Sequence, residues 1–98
     1  MIHLTAEQKA LYLEVSYIMS PHKVYLVGGS LRDILLSVEP KDYDFATAAT
    51  PEEIEVKIKA SINEQGNNRR AYTTGAKFGT LGCKVFGKDI EITTFRTE

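Results

Sequence analysis

The chain has 98 residues and a formal net charge of −1, with 43% hydrophobic and 26% charged residues. These values are typical of one small, soluble globular domain. The charge argues against a chain that holds nucleic acid by electrostatic attraction alone, because that mode needs clustered lysines and arginines that release counterions from phosphates. One cysteine, Cys83, excludes an internal disulfide, and no apolar run is long enough for a membrane span. No signal peptide is visible, so we expect a cytoplasmic protein.

Alternating helix and strand signals fill the first two thirds of the chain. Thr5 and Gln8 have the spacing of a capping box ahead of an apolar repeat of helical period. Thr50 and Pro51, followed by two acidic residues, have the pattern of a third helix start. These signals predict helix 5–19, strand 23–27, helix 31–36 with Ser30 as its N-cap, strand 42–47 and a helix from Pro51 onward.

The last third of the chain predicts an antiparallel sheet. Runs rich in β-branched and aromatic residues are separated by short polar connections, the last being a hairpin turn at Gly87-Lys88-Asp89. The predicted strands cover 70–74, 80–86 and 90–95, and the middle one should bury Cys83. The whole pattern predicts an α+β domain with a small mixed or antiparallel sheet backed by helices.

Two carboxylates, Asp42 and Asp44, occupy alternate positions of the predicted strand 42–47. Alternate strand residues project from one face, about 6.5–7 Å apart along the chain, so Tyr43 and Phe45 should face the core. Such a pair can bind two divalent cations for phosphoryl transfer, and Mg²⁺ is the expected ion because it prefers oxygen ligands. The alternative is a solvated strand face with no ligand.

A glycine turn lies just upstream of that strand. Gly28 and Gly29 allow the backbone to approach a ligand at positive φ, and the helix that follows offers free N–H groups to a phosphate. Ser30 adds a hydroxyl donor, and Arg32 can form paired hydrogen bonds to phosphate oxygens. Asp33 is predicted to support Arg32. The alternative is a simple strand-to-helix turn with a surface arginine.

The remaining charged candidates lie in the last third of the chain. Glu91 belongs to a strand that should lie beside the Asp42–Asp44 strand, where it would add a third carboxylate; otherwise it is an exposed strand residue. Asp89 is expected to have only a structural role in the hairpin turn. The basic candidates here are Arg69, Arg70, Lys77 and Arg96.

Four sequence blocks, LVGGSLRDILL, DYDFATAATPEE, TTGAKFGTL and EITTFR, together resemble the head (palm) domain of the bacterial-type CCA-adding enzyme and poly(A) polymerase family. These are tRNA nucleotidyltransferases of the polymerase-β superfamily. The resemblance covers about three-quarters of the chain, from Val24 to Thr97. It implies a palm-like nucleotidyltransferase fold for residues 1–98, with an N-terminal helix over 5–19 and a motif-bearing core over 23–97.

The resemblance also implies roles for single residues. Asp42 and Asp44 would bind two Mg²⁺ ions, and Glu91 would supply a further active-site carboxylate. The triphosphate-binding block corresponds to Gly28, Gly29, Ser30 and Arg32. Asp33 and Arg96 match supporting positions. Ser37 departs from the pattern, because the family often has glycine there.

The family implies a template-independent RNA nucleotidyltransferase that adds CMP or AMP from CTP or ATP to the 3′ end of a tRNA. The neck, body and tail domains of the family are absent from the sequence, so we expect a fragment or a head that depends on a partner. The alternatives are an Mg-nucleotide-binding interaction or regulatory module without turnover, and a toxin-like transferase. Unpaired sheet edges also suggest self-association as a hypothesis.

Overall fold

The computed structural model describes residues 4–65, 71–72 and 80–95. Helices and strands alternate in these ranges in the order α-β-α-β-α-β-β-β, as the sequence predicts. The elements are α1 (Ala6–Met19), β1 (Val24–Val27), α2 (Gly28–Leu35), β2 (Asp42–Thr47), α3 (Pro51–Gln65), β3 (Ala71–Tyr72), β4 (Thr80–Val85) and β5 (Lys88–Thr94).

The strands form one mixed sheet in the order β1-β2-β5-β4-β3. β2 runs parallel to β5, and the other three neighbouring pairs are antiparallel. β2 therefore lies near the middle of the sheet with β1 on one side and β5 on the other. The predicted α+β class with a mixed sheet is confirmed, and β5 lies beside β2 as predicted.

Both predicted helix starts are confirmed, the first as the predicted capping box and the second as a capping box that was not predicted. The Gln8 backbone N–H donates to Thr5 Oγ1 at 3.1 Å, and the Thr5 N–H donates to Gln8 Oε1 at 2.9 Å. Thr50 and Glu53 make the same reciprocal pair at 3.1 and 2.8 Å. Each box satisfies two backbone N–H groups that a helix end would otherwise leave without partners.

One face of the sheet packs against the helices and forms the core. Tyr43 and Phe45 are 3% and 1% exposed, whereas Asp42 and Asp44 face the other way. The core also takes side chains from all three helices and from β4 and β5, including Val15, Met19, Ile34, Ile54, Ile58, Leu81, Cys83, Ile90 and Ile92. In the described ranges, no helix is both long and apolar enough to cross a membrane.

The start of α2 differs from the prediction. The helix begins at Gly28 instead of Leu31, its N-cap is Val27, and Ser30 lies inside the first turn. The predicted N-cap role of Ser30 is therefore wrong. Instead of capping the helix, the Ser30 hydroxyl donates to the carbonyl of the N-cap residue Val27 at 2.9 Å.

The β4–β5 hairpin is tighter than predicted. Its turn residues are Phe86 and Gly87, with φ of 52° and 77°. Positive φ at both central residues suits a two-residue hairpin loop, because this twist matches that of the strands. Lys88 and Asp89 consequently belong to β5, so the prediction that Asp89 occupies the turn is wrong.

Several predictions fall on residues 66–70, 73–79 and 96–98, which lie outside the described ranges. The strand predicted over 70–74 is described only as β3. The basic candidates outside the description are Arg69, Arg70, Lys77 and Arg96.

Candidate active site

The parallel pairing of β2 and β5 brings the predicted carboxylates together. Asp44 is in register with Glu91, and Asp42 is in register with Asp89. Neighbouring strands lie about 4.7–4.9 Å apart, and residues in register project from the same face. Asp42, Asp44 and Glu91 therefore share one small area of the face opposite the core.

An open groove of about 360 Å³ lies over this area. Its lining combines the start of α2, the loop before β2, and the carboxylates of β2 and β5. The lining residues are Gly29, Ser30, Asp33, Val38, Glu39, Lys41, Asp42, Asp44 and Glu91. The groove thus brings most of the sequence-predicted site residues together.

Gly28 forms the turn from β1 into α2 and lies close to Asp44. Its φ is +69°, and a Cβ added there would lie 3.3 Å from Asp44 Oδ2. Gly29 lies in the helix, and an added Cβ would have only the end of the Arg32 side chain within 4 Å, at 3.7 Å. Only Gly28 therefore has the predicted positive φ, which favours glycine.

Ser30 has a positioning role that the sequence did not reveal. Its hydroxyl donates to the Val27 carbonyl and accepts the Asp44 backbone N–H, both at 2.9 Å, and the residue is 2% exposed. A hydroxyl has one proton to donate. In this arrangement Ser30 therefore joins β1, α2 and β2 instead of offering a proton to a phosphate, which corrects the expected donor role.

The carboxylates are electrostatically strained. Burial raises the pKa of Asp44, the Ser30 backbone N–H opposes this, and Asp42 raises the pKa further. Burial also raises the pKa of Glu91, with added repulsion from Asp44, Asp42 and Asp89. Of the ion pairs formed within the described residues, none includes Asp42, Asp44 or Glu91. The cluster therefore favours a positive ligand.

Arg32 lies exposed on α2 and pairs with Asp33. Its Nη2 is 3.6 Å from Asp33 Oδ1, and the Arg32 side chain is 73% exposed. An exposed ion pair of this kind stabilises little and is easily exchanged. Asp33 contacts Arg32 as predicted and also lines the groove.

The loop between α2 and β2 is fixed by Glu39, which the sequence analysis missed. Glu39 accepts hydrogen bonds from Gln8 and from the Tyr43 hydroxyl, and Lys88 Nζ lies 3.6 Å from its carboxylate. The hydrogen bond from Tyr43 is the main cause that lowers the pKa of Glu39. In turn, burial and the hydrogen bond to Glu39 raise the pKa of Tyr43 to about 12.

Lys41 is a second residue that the sequence analysis missed. It lines the groove and directly precedes Asp42. The sequence did contain a signal for Lys41, because it lies directly before the carboxylate pair. Phosphate-binding sites commonly include a lysine as a point charge.

The donor set suits a hard divalent cation. Carboxylate oxygens are the ligands that Mg²⁺ prefers, usually one or two per ion together with substrate phosphates and water. In the part of the chain that the structure describes, no three acidic, histidine or cysteine side chains form a metal-holding group. An ion held by Asp42 and Asp44 would therefore need further oxygen ligands from water or a bound substrate.

A mixed sheet with paired carboxylates on β2, beside a glycine turn that opens a helix, is the arrangement expected of a nucleotidyltransferase head domain. The chain belongs to the poly(A) polymerase head domain family, whose model matches residues 24–98. It is 43% identical over 77 residues to a CCA-adding enzyme of Lactobacillus gasseri. The matched segment covers 79% of this chain and 17% of that protein.

Solved structures show the same fold. The CCA-adding enzyme of Bacillus stearothermophilus in complex with CTP is 31% identical, with a TM-score of 0.62, covering 88% of this chain and 20% of that one. A tRNA nucleotidyltransferase complexed with a primer tRNA and an incoming ATP analog is 29% identical, with a TM-score of 0.59. The match covers 87% of this chain and 23% of that one. The chain thus spans less than a quarter of the length of these relatives.

Proposed function

We propose that this chain is the nucleotide-binding head of a tRNA nucleotidyltransferase that transfers CMP or AMP from CTP or ATP to a tRNA 3′ end. The observation that carries the proposal is the register of Asp44 with Glu91, which places three acidic side chains on one face beside the start of α2. Relatives of known structure hold CTP, or a primer tRNA with an ATP analog, which supports these substrates.

In this proposal Asp42 and Asp44 hold divalent cations, expected to be Mg²⁺, and Glu91 adds negative charge beside them. The bound cations would activate the attacking hydroxyl and stabilise the leaving pyrophosphate. The raised pKa values of Asp44 and Glu91 support this role, because burial and the negative charge of neighbouring carboxylates oppose ionisation, and a bound cation would offset that cost.

The triphosphate would lie against the turn at Gly28 and Gly29. The positive end of the helix dipole favours an anion at the start of α2, where the Ser30 backbone N–H already donates to the Asp44 carboxylate. Arg32 can leave its exposed contact with Asp33 and contact phosphate oxygens in a forked geometry. Ser30 contributes by fixing the distance between α2 and β2.

The proposed reaction joins the RNA 3′-oxygen to the α-phosphorus and breaks the bond to pyrophosphate. The chain itself positions the triphosphate and neutralises charge, and such preorganised electrostatics supply most of the catalysis in phosphoryl transfer. The role of Arg96 stays a prediction, as do a cytoplasmic location and self-association through an open sheet edge.

The experiment is incorporation of labelled CTP and ATP into tRNA that lacks its 3′ CCA, with Mg²⁺ present. The wild type is compared with the double variant Asp42→Ala/Asp44→Ala. We expect incorporation by the wild type and at least a 100-fold loss in the variant, in line with the size of electrostatic contributions in active sites. Incorporation that survives in the variant would contradict the proposed site.

The same assay separates transfer from binding without turnover. A wild type that binds Mg-CTP but incorporates nothing, even with the remaining domains of a relative added as a separate protein, would favour a nucleotide-binding module. Incorporation restored by the added domains would support a head that depends on a partner.

A further inference from the structure

Two exposed aromatic rings form a pair on the sheet. Tyr25 of β1 is 50% exposed, and Phe95, just past the end of β5, is 36% exposed. Their ring centroids are 6.2 Å apart, with 57° between the ring planes. β2 lies between their strands, and at this level it presents Ala46, which is in register with Tyr25. The small side chain of Ala46 lets the rings meet across β2.

This aromatic pair lies on the same face as the carboxylates. Tyr25 is in register with Ala46, and Ala46 is two residues beyond Asp44 on β2. Residues two apart in a strand share a face and lie about 6.5–7 Å apart. The aromatic pair therefore lies about two residues along the strand from Asp44. It is on the side of Asp44 away from Lys41 and Asp42, which line the groove.

The direction of the proposed reaction indicates which substrate would approach the aromatic pair. In an in-line displacement the attacking and leaving oxygens lie on opposite sides of the phosphorus. The leaving pyrophosphate would lie at the start of α2, which follows Val27, the residue in register with Asp44. The attacking 3′-hydroxyl must then approach from the opposite side, which is the side of Ala46 and the aromatic pair.

We propose that Tyr25 and Phe95 form a stacking platform for the base of the 3′-terminal nucleotide of the acceptor RNA. This inference rests on the proposed function. Exposed aromatic rings bind unpaired bases largely regardless of base identity, which suits an acceptor whose last base changes as the product grows. The chain also has a net charge of −1, so stacking is a contact this acidic face can offer where attraction to phosphates is weak.

The test is fluorescence anisotropy of a 5′-labelled single-stranded RNA of eight nucleotides, titrated with protein in the absence of nucleotide. The variants are Tyr25→Ala, which removes the stacking ring, and Tyr25→Phe, which keeps it. Tyr17→Ala is the matched control, because Tyr17 is 63% exposed on α1, away from the site. A second RNA of the same sequence ends in an abasic 3′ nucleotide, and Mg-CTP affinity is measured for every variant by calorimetry.

We expect Tyr25→Ala to weaken binding of the intact RNA about tenfold, within the range for loss of one stacked base. Tyr25→Phe and Tyr17→Ala should bind as the wild type does. The abasic end should weaken RNA binding by the wild type by a similar factor. It should hardly affect RNA binding by Tyr25→Ala, because both changes remove the same contact between the terminal base and the Tyr25 ring. Mg-CTP affinity should be unchanged in all variants.

Equal RNA affinity of the wild type and Tyr25→Ala would overturn the platform, as would no measurable RNA binding by the wild type. Weaker Mg-CTP binding by Tyr25→Ala would also overturn it, because the rings would then serve the incoming nucleotide. A wild type that binds RNA through Tyr25 but does not bind Mg-CTP would support the platform and refute the proposed transfer.

Discussion

Asp44 is the residue on which most of the candidate site depends. Its backbone N–H is held by the Ser30 hydroxyl, its carboxylate lies against Gly28, and its register partner is Glu91. In a folded protein such a position is costly, because burial and neighbouring charge oppose ionisation. This cost supports the proposed role of Asp44, since groups with perturbed pKa values concentrate at functional sites.

The first prediction concerns Asp44→Asn. Because the folded state raises the pKa of Asp44, ionisation of this group destabilises the fold as pH rises through that pKa. The neutral amide removes this cost, so we expect a higher Tm without metal at pH 7.5. At pH 3, where the carboxylic acid is largely protonated in both states, the gain should shrink toward zero.

Thermal melts in EDTA at the two pH values check this prediction. Glu52→Gln serves as the control, because Glu52 lies exposed in the first turn of α3, where a negative charge is favourable. The control should lower the Tm slightly at pH 7.5. A Tm of Asp44→Asn below that of the wild type at pH 7.5 would contradict the electrostatic account of the site.

The second prediction compares the two glycines of the turn. Gly28→Ala must accept φ of +69° and a contact of 3.3 Å with Asp44 Oδ2, so we expect a loss of about 1–3 kcal/mol in the free energy of unfolding. Gly29→Ala should be neutral or stabilise by up to about 1 kcal/mol, because alanine favours a helix. Urea denaturation of both variants measures the difference, and equal losses would refute the distinction.

At the scale of elements, the end of α2 shows how a helix stop determines the shape of the groove. The Ser37 N–H donates to the Ile34 carbonyl at 3.0 Å, and the Val38 N–H donates to the Asp33 carbonyl at 2.7 Å. These two bonds form a Schellman motif with Ser37 in the left-handed region, at φ of 59°. The motif turns the chain so that Val38, Glu39 and Lys41 line the groove.

The third prediction follows from this motif. Glycine adopts a positive φ without the steric cost that serine has, although it also gives the unfolded chain more freedom. We expect Ser37→Gly to stabilise the fold by about 0.5–1 kcal/mol, whereas Ser37→Ala should gain nothing because alanine keeps the Cβ. Urea midpoints of the two variants would decide, and a destabilised Ser37→Gly would count against the motif.

Local signals explain why some elements were predictable. Thr5 with Gln8 and Thr50 with Pro51 carry the full chemistry of a helix start in a few residues, and the bounds of β2 follow from its alternating pattern. The start of α2 was not predictable in this way. Ser30 has the side chain of an N-cap, but its hydroxyl binds the Val27 carbonyl and the Asp44 N–H, and Asp44 is 14 residues away.

At the scale of the whole molecule, the candidate site forms because β2 and β5 are parallel neighbours although more than 40 residues separate their starts. The sequence predicted that Glu91 would lie beside the Asp42–Asp44 strand, and this is confirmed. It did not predict the sheet order or the place of Asp89 in β5, because the pairing partner of a strand depends on distant residues. The network around Glu39 also needs contacts from α1, β2 and β5, which local patterns do not contain.

The measurement that tests the central claim most directly is calorimetric titration of CTP into the wild type and Asp44→Asn, with Mg²⁺ and again with EDTA. We expect Mg²⁺ to strengthen binding to the wild type at least tenfold and to have no effect on Asp44→Asn, although that variant should be the more stable protein without metal. If Asp44→Asn bound CTP as tightly as the wild type in Mg²⁺, the carboxylates of β2 would not form a metal-nucleotide site.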